Sequence, residues 1–495
     1  MIYGEELGAG GISTKTIPPQ GLNLTLKGGN GKIDCTFTGI TSEWLYLGQY
    51  YRLIAKPGSA PTSPMDGVQV KDVQVGAIGD AVISASIEGL TNGVQYYVRL
   101  YVRGENGWQT SVDAVGTATP QAFVIYGVRI DQGNSDPESA VVYTDDCTGF
   151  APSRGNNGNF QTGSWNDATD PIFSRIRPCL FKDGAVVGYL NPNNFAQFED
   201  GTAADITSGN AGDVMIEIPR IAYAMYKEGN YQYVKITDDP NAPSSDAKWC
   251  FNAHTRSIQG DRDYLYVGAY EGYVISNKLR SLSGKAPTTG GNLTITQANA
   301  NNMGAGYDPL SFYPLTLIQA LYLIRYKNLS CSAGLGLGTT NMDIRVNTGS
   351  NDSRGMNYGN SVNTEKIKFM GLEGIWGNIG LWIAGLMVRQ LKIYTAFTNF
   401  NVTGSGYTQI STFPQNRSGY LKTIIGNNAH GFINEDVGGS EVTYYCCYSS
   451  LYQSGSYRYF LRMGEYGDNV SLFGMLTIYA EDNNSNRPGG RLMYL

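Results

Sequence analysis

Between about residue 20 and residue 119, apolar and polar side chains alternate in short runs: Leu22-Asn23-Leu24-Thr25-Leu26, Ile33-Asp34-Cys35-Thr36-Phe37, Tyr51-Arg52-Leu53-Ile54-Ala55, Val68-Gln69-Val70, Ala81-Val82-Ile83-Ser84-Ala85 and Tyr96-Tyr97-Val98-Arg99-Leu100-Tyr101-Val102. Successive side chains of a strand point to opposite faces, so a period of two marks strands with one buried face. Turn residues separate most of the runs, and about seven strands in about 100 residues predict a small antiparallel sandwich. Phe37, Tyr51 and Tyr96 are expected inside it. Thr117-Ala118-Thr119-Pro120 leaves the last strand, which places a domain boundary near 120. Residues 1–19 are Gly-rich, end in Pro18-Pro19 and carry few apolar side chains, so they read as an N-terminal arm.

From 121 to 495 the alternation fades into Asn, Asp, Ser and Gly with interleaved aromatics. A loop-dominated fold must satisfy its backbone polar groups through such side chains. One helix stands out from Leu310 to Asn328: Leu317, Leu321 and Ile324 share a face, Leu315, Ile318, Tyr322 and Arg325 an adjoining one. Apolar residues nearly all round predict that it is buried, with Pro314 in its first turn. Trp376 and Trp382 flank small residues and read as core indoles, and Asn378 beside Gly377 suits a tight turn. The fold class expected is mainly β, with an α+β C-terminal part.

Composition narrows the function. The chain holds 63 Gly in 495 residues, nearly twice ordinary usage of roughly 7 %. A net charge of −6 supplies no basic field for phosphates, so nucleic acid is not an expected partner. No run approaches the roughly 18 apolar residues of a membrane helix, so membrane insertion is not expected either. The N-terminus lacks a basic and apolar leader, which points to synthesis and folding in a cytosol. Seven scattered Cys, including the vicinal Cys446-Cys447, read as reduced and mostly buried. His254 and His430 have no ligand-spaced partner. The acid pairs Asp145-Asp146, Glu199-Asp200 and Asp238-Asp239 sit beside turn residues and read as solvated turns. Asp200, Asp205 and Asp213 lie in an acidic, Gly-containing stretch where loop oxygens could meet a hard cation, without an EF-hand pattern. No catalytic set, cofactor or metal is assigned, and binding is favoured over catalysis.

Binding chemistry concentrates at 441–488. Tyr444, Tyr445, Tyr448, Tyr452, Tyr457, Tyr459, Tyr466 and Tyr479 are interleaved with or followed by Ser449, Ser450, Gln453, Ser454, Ser456, Arg462, Glu465, Asp468, Asn469, Asp482, Asn483 and Asn484. Tyr offers a large amphipathic contact at low entropic cost, and Ser, Asn and Gly supply adaptable hydrogen bonds, as in antibody paratopes. The expected binding residues are Tyr444, Tyr445, Tyr448, Tyr452, Tyr457, Arg462, Glu465, Tyr466, Asp468, Asn469, Tyr479 and Asp482. The competing reading makes several of these Tyr core residues of strands; the face would then be sought in the Asn-rich loops at 340–362.

Several stretches also carry resemblances. Leu90-Thr91-Asn92-Gly93-Val94-Gln95-Tyr96 resembles the Leu-x-x-Gly-x-x-Tyr entry to strand F of fibronectin type III domains, and Tyr51-Arg52-Leu53 resembles strand C. The resemblance implies that the Tyr96 hydroxyl ties back to the preceding loop, with Phe37 in place of the family's core Trp and Trp44 in the following loop. Tyr126-Gly127-Val128-Arg129-Ile130-Asp131 with Tyr143-Thr144-Asp145-Asp146 resembles the opening of a family of phage tail proteins. Residues 371–382 resemble a core strand of C-type-lectin-like domains of the formylglycine-generating-enzyme class, with Gly380 and Leu381 replacing the motif's first Trp and its Glu. Residues 464–467, Leu472-Phe473 and Gly489-Gly490-Arg491-Leu492-Met493-Tyr494-Leu495 are similar to the closing strands of that fold in phage receptor-binding proteins, several of them diversified by retroelements. These resemblances imply a fibronectin III-like sandwich followed by a loop-rich C-type-lectin-like domain. The protein implied is a homotrimeric receptor-binding protein of a virion tail tip, recognising a bacterial surface glycan or protein through 441–488. The arm would meet phage tail or baseplate proteins. The alternative is a structural baseplate or decoration protein without receptor contact.

Overall fold

The computed structural model describes residues 22–38, 49–75, 82–104, 107–110, 114–340, 345–413, 417–451, 458–462, 470–477 and 488–495. The fold is mainly β, and the chain divides into two units, through Phe123 and from Val124.

In the first unit, β1 (Thr25–Gly29) and β2 (Lys32–Thr38) form a hairpin across Asn30-Gly31, with Gly31 at φ +64°. Asn-Gly between alternating runs is a strong hairpin signal because the turn needs positive φ. The register pairs Gly29 with Lys32, so β1 begins three residues later than the Leu22 run suggests. β3 (Gln49–Pro57), β4 (Gln69–Val75), β5 (Val82–Glu88), β6 (Tyr96–Gly104), β7 (Gly107–Gln109) and β8 (Val115–Ala118) complete two sheets. One has the order β1-β2-β5; in the other, β4-β3-β6, both β7 and β8 pair with β6. Ile33, Cys35 and Phe37 of β2 meet Tyr51 and Leu53 of β3 and Val98 and Leu100 of β6 in one core. The Phe37 and Tyr51 rings are 5.0 Å apart. Tyr96 is buried as well, and its hydroxyl accepts a hydrogen bond from the Thr91 N–H at 3.2 Å. Trp44 lies outside the described residues.

The second unit is built from three larger sheets. Ile125–Asp131 pairs with Val141–Asp145 on one side and Tyr231–Thr237 on the other, and Ala222–Glu228 completes that four-stranded sheet. A seven-stranded sheet runs Asn194–Phe198, Ala185–Asn191, Arg177–Lys182, Asp213–Pro219, Tyr264–Gly268, Leu492–Tyr494, Tyr307–Pro309. A nine-stranded sheet centres on Gly380–Arg389, which pairs with Lys392–Thr395, Arg458–Arg462 and, in parallel, Pro488–Gly489.

The helix Phe312–Tyr326 packs against Tyr231–Thr237 and Gly380–Arg389, and all fifteen of its residues are buried. It begins two residues after the expected Leu310, because Pro309 is claimed by a strand opposite Leu492 and Ser311 becomes the N-cap. It ends where Lys327 turns left-handed at φ +47°. Pro314 is the third helical residue, where no intrahelical N–H bond is lost. On the helix, Gln319 Nε2 donates to Leu472 O at 2.8 Å, and Thr316 Oγ1 donates to Phe312 O at 3.0 Å. Residues 371–382 are only partly extended, since the strand starts at Gly380. Gly374, Gly377 and Asn378 take φ of +60°, +84° and +63°, which breaks the extension before it.

Leu492–Tyr494 lies inside the seven-stranded sheet, and Arg256 secures that end of the chain, donating to Gly306 O and Leu495 O and pairing with Asp308. Burial pushes the Asp308 carboxyl up to about 6, against the pull of Arg256. Its folded pKa exceeds the unfolded value of about 3.9, so the group favours the folded state below pH ~4 and that contribution is lost as pH rises through about 6. Asp308→Asn removes the titration. Wild type should therefore lose roughly 2–3 kcal/mol relative to the variant between about pH 4 and pH 7, measured by denaturant unfolding at both. In the first unit, Phe37→Ala should cost about 3–5 kcal/mol in the same assay, as for a buried aromatic; a loss under about 0.5 kcal/mol, the range of surface changes, would place Phe37 outside the core.

Candidate binding site

Of the twelve residues expected at the receptor face, Tyr444, Tyr445 and Tyr448 lie in described structure, and Arg462 ends the strand Arg458–Arg462. Tyr452, Tyr457, Glu465, Tyr466, Asp468, Asn469, Tyr479 and Asp482 lie outside the described residues. Tyr448 is half-buried, and its ring meets the edge of Tyr420 on the neighbouring strand at 5.9 Å. The Tyr420 hydroxyl donates to Glu441 Oε1 at 2.8 Å. Tyr444 is half-buried at φ +55°, with Lys422 Nζ 5.7 Å from its ring centre. These three rings form the accessible aromatic group of the segment's start; Tyr420 was not among the expected residues.

Tyr445 is a correction. It is only 2 % exposed, its ring packs on Phe473 at 5.3 Å, and burial pushes its phenol upward. Left-handed backbone at Tyr444 and Cys446 sets the direction of each side chain here, so two adjacent Tyr serve opposite sides. Ser449 and Ser450 are buried too: Ser449 Oγ donates to Met475 O at 3.3 Å, and Ser450 Oγ bonds Ser418 Oγ at 2.7 Å.

The sheet also divides the segment. Tyr448–Leu451 and Met475–Leu476 run parallel, and Arg458–Arg462 runs antiparallel to the latter. Segment 452–457 therefore joins one end of Arg458–Arg462 and segment 463–469 leaves from the opposite end. The flanking residues Leu451, Val470 and Thr477 are all buried.

Trp376 and Trp382 are core. The Trp376 indole donates to Gly336 O at 3.1 Å and lies edge-on to Tyr322; the Trp382 indole donates to Gly291 O at 2.9 Å. Asn378 accepts from Val346 N at 2.9 Å and donates to Glu271 Oε2 at 2.8 Å. Glu271 is fully buried and pairs with Lys366 at 2.5 Å, and Lys366 stands 3.6 Å from Glu373. Gly374 turns against the Glu271 carboxylate, where a Cβ would stand 3.0 Å from Oε1. In the Asn-rich stretch at 340–362, Asn351 and Asn357 are buried; Asn351 Nδ2 donates to Lys366 O at 2.9 Å and Asn357 Oδ1 accepts from Met370 N at 3.1 Å.

A cleft of about 520 Å³ opens elsewhere in this unit, with Asp167, Arg177, Asn193, Glu199, Arg325 and Asn357 among its polar lining. Arg325 comes from the last turn of the buried helix, with a side chain 1 % exposed. Its Nη1 pairs with Asp167 Oδ1 at 2.6 Å, Nε donates to Ser153 Oγ at 3.2 Å, and the guanidinium faces the rings of Phe173 and Phe160 at 5.1 and 5.6 Å. Among the described residues, Nη2 has no hydrogen-bond partner. Arg177 lies 3.4 Å over the Tyr189 ring and donates to Glu199 at 2.9 and 3.0 Å. Asn357 Oδ1 accepts from Tyr326 OH at 3.3 Å and Met370 N at 3.1 Å. Sequence reasoning did not assemble these residues. The signal in hand was Arg325 itself, a single cation on a helix apolar nearly all round.

The remaining candidates are committed locally. Asp145 pairs with Lys235 at 2.8 Å, Glu199 with Arg177, and Asp239 accepts from Asn241 N at 2.8 Å. Asp200 bonds Thr202, Asp205 bonds Thr207 and Ser208, and Asp213 pairs with Arg280 at 2.9 Å. Among the described residues, no cluster of His, Cys, Asp or Glu is arranged to hold a metal ion, and no helix is long and apolar enough to cross a membrane. All seven Cys are buried, and burial pushes the Cys446 thiol up to about 11. His254 is fully buried, accepts from Ile221 N at 3.3 Å and is pushed down to about 3 by desolvation, so it stays neutral. No model of a known protein family matches the chain, and no curated protein matches it.

The two half-buried and buried tyrosines separate in a stability assay. Tyr445→Ala should cost about 3–5 kcal/mol. Tyr448→Ala, which loses mainly the contact with Tyr420, should cost at most about 1.5 kcal/mol. Denaturant titration of the second unit's transition checks both.

Proposed function

We propose that this chain is a tail receptor-binding protein of a phage or phage-derived particle. Its C-terminal unit, a C-type-lectin-like tip, binds a bacterial surface glycan or protein through the Tyr-rich segment 441–488. The N-terminal unit, a fibronectin III-like module, is a spacer; the arm of residues 1–19 meets tail or baseplate proteins; and the chain assembles as a homotrimer. Linked copies turn weak individual sites into strong attachment, which is why a trimer suits this role.

The observation that carries the reading is the anchoring of the segment. The described strands that bound its Tyr-, Ser- and Asn-rich stretches belong to one sheet, the flanking residues Leu451, Val470 and Thr477 are buried, and Tyr420, Tyr444 and Tyr448 stand half-exposed. Adaptable side chains on a rigid base are what a recognition surface requires.

Labelled full-length protein incubated with a panel of bacterial strains tests the proposal. Adsorption to at least one strain is expected. Tyr448→Ala should weaken it about 30-fold, as for an aromatic hot spot worth about 2 kcal/mol, without loss of folded protein. Adsorption to no strain, or adsorption indifferent to Tyr448→Ala and Tyr444→Ala, would overturn the assignment to this segment. Light scattering should give three times the 53.8 kDa chain mass.

A further inference from the structure

The cleft around Arg325 shares no lining residue with the Tyr-rich segment, so a role for it goes beyond the receptor face. Its charges are balanced in place: Arg325 is matched by Asp167, and Arg177 by Glu199. A site with no net field has little to hold a free anion or cation. What remains is hydrogen-bonding capacity of both signs. Among the described residues, nothing bonds to Arg325 Nη2, Asn357 Nδ2, Asp167 Oδ2 or the Asn193 carboxamide. The first two only donate, the third only accepts, and the fourth does both. Beside them, Phe173, Ile176, Met356 and Met370 supply an apolar wall.

A ligand answering this pattern must donate and accept around its edge and present a C–H surface on one side. A sugar hydroxyl does both jobs with one group, and a pyranose ring has an apolar face. The volume of about 520 Å³ lies within the range of small-molecule pockets, about 300–1,000 Å³. We infer that this cleft is a saccharide-binding site for one or two neutral sugar residues, with Asp167, Asn193 and Asn357 reading hydroxyls and Arg325 fixing Asp167. Arg325 is a positioning residue here: two aromatic rings and Ser153 hold its guanidinium, and it holds Asp167 in turn. The sugar can be free or the end of a longer chain, and the two differ at the anomeric oxygen.

Saturation-transfer NMR on the full chain, with galactose, N-acetylglucosamine and rhamnose, each free and as its methyl glycoside, tests the site. At least one sugar should receive saturation; a preference for the methyl glycoside assigns a chain-linked residue, the reverse a free sugar. Ala168 is exposed and lines the cleft, so Ala168→Trp should fill it and abolish the signal with an unchanged melting temperature. Asn193→Ala, also at an exposed position, should weaken binding about five- to tenfold for one lost hydrogen bond. Tyr448→Ala should leave the signal intact, which keeps this outcome separate from that of the adsorption assay. Signal from none of the sugars, signal that survives Ala168→Trp, or displacement of the sugar by acetate or phosphate would overturn the inference.

Discussion

Four stretches of chain that are far apart in sequence meet at Glu373. Its carboxylate accepts from the N–H groups of Gly349 and Asn351 at 2.9 and 2.8 Å, its own N–H donates to Ala269 O, and its carbonyl accepts from Arg491 Nη2 at 2.6 Å. Lys366 and Glu271 extend the group, and Lys368 donates to Asn351 O at 3.0 Å. Charges without water are expensive unless they are paired and fully hydrogen-bonded, and taking one away strands the others. In a unit whose loops have few ladders to fix them, that penalty is what makes one arrangement of 345–352, 366–374 and 491 far better than any other. The apolar core supplies the bulk of the stability, and the ionic cluster supplies the uniqueness of the loop paths.

How much of this was legible in the sequence depends on whether the cause was local. The first unit was readable because its strands alternate with period two and its turns carry Asn-Gly and Pro. The helix around Leu317 was readable for the same reason, while its start was not: the strand that takes Pro309 has its partner at Leu492. Trp376 and Trp382 could be placed in the core from the small residues around them. Glu271, Lys366, Glu373 and Arg491 could not, because a charged residue in a polar loop reads as surface until its partners are known. Tyr444 and Tyr445 show the limit at the finest scale. Within a left-handed turn no period relates neighbouring side chains, so the sequence could not say which of the two faces out.

The same distinction separates the two proposed binding regions. The Tyr-rich segment announces itself by composition, since the residues proposed for recognition are contiguous in sequence. The cleft is assembled from residues 166–178, 192–199, 325 and 356–370, none of which is unusual alone. Its geometry is inherited from the scaffold: the buried helix delivers Arg325, and the seven-stranded sheet delivers Arg177. A surface built this way is hard to alter piecemeal, whereas one built on strand connections is easy to alter.

The position of Leu492–Tyr494 has a consequence for quality control during synthesis. This strand sits between Tyr264–Gly268 and Tyr307–Pro309, and Arg491 reaches back to Gly268 across 223 residues of sequence. Until it is made, both neighbouring strands present open edges, which are templates for misassociation. A message that loses its reading frame anywhere upstream yields a chain without the guanidinium and without the middle strand. Such a chain cannot close its sheet, so only products read in frame through residues 452–487 reach the folded state.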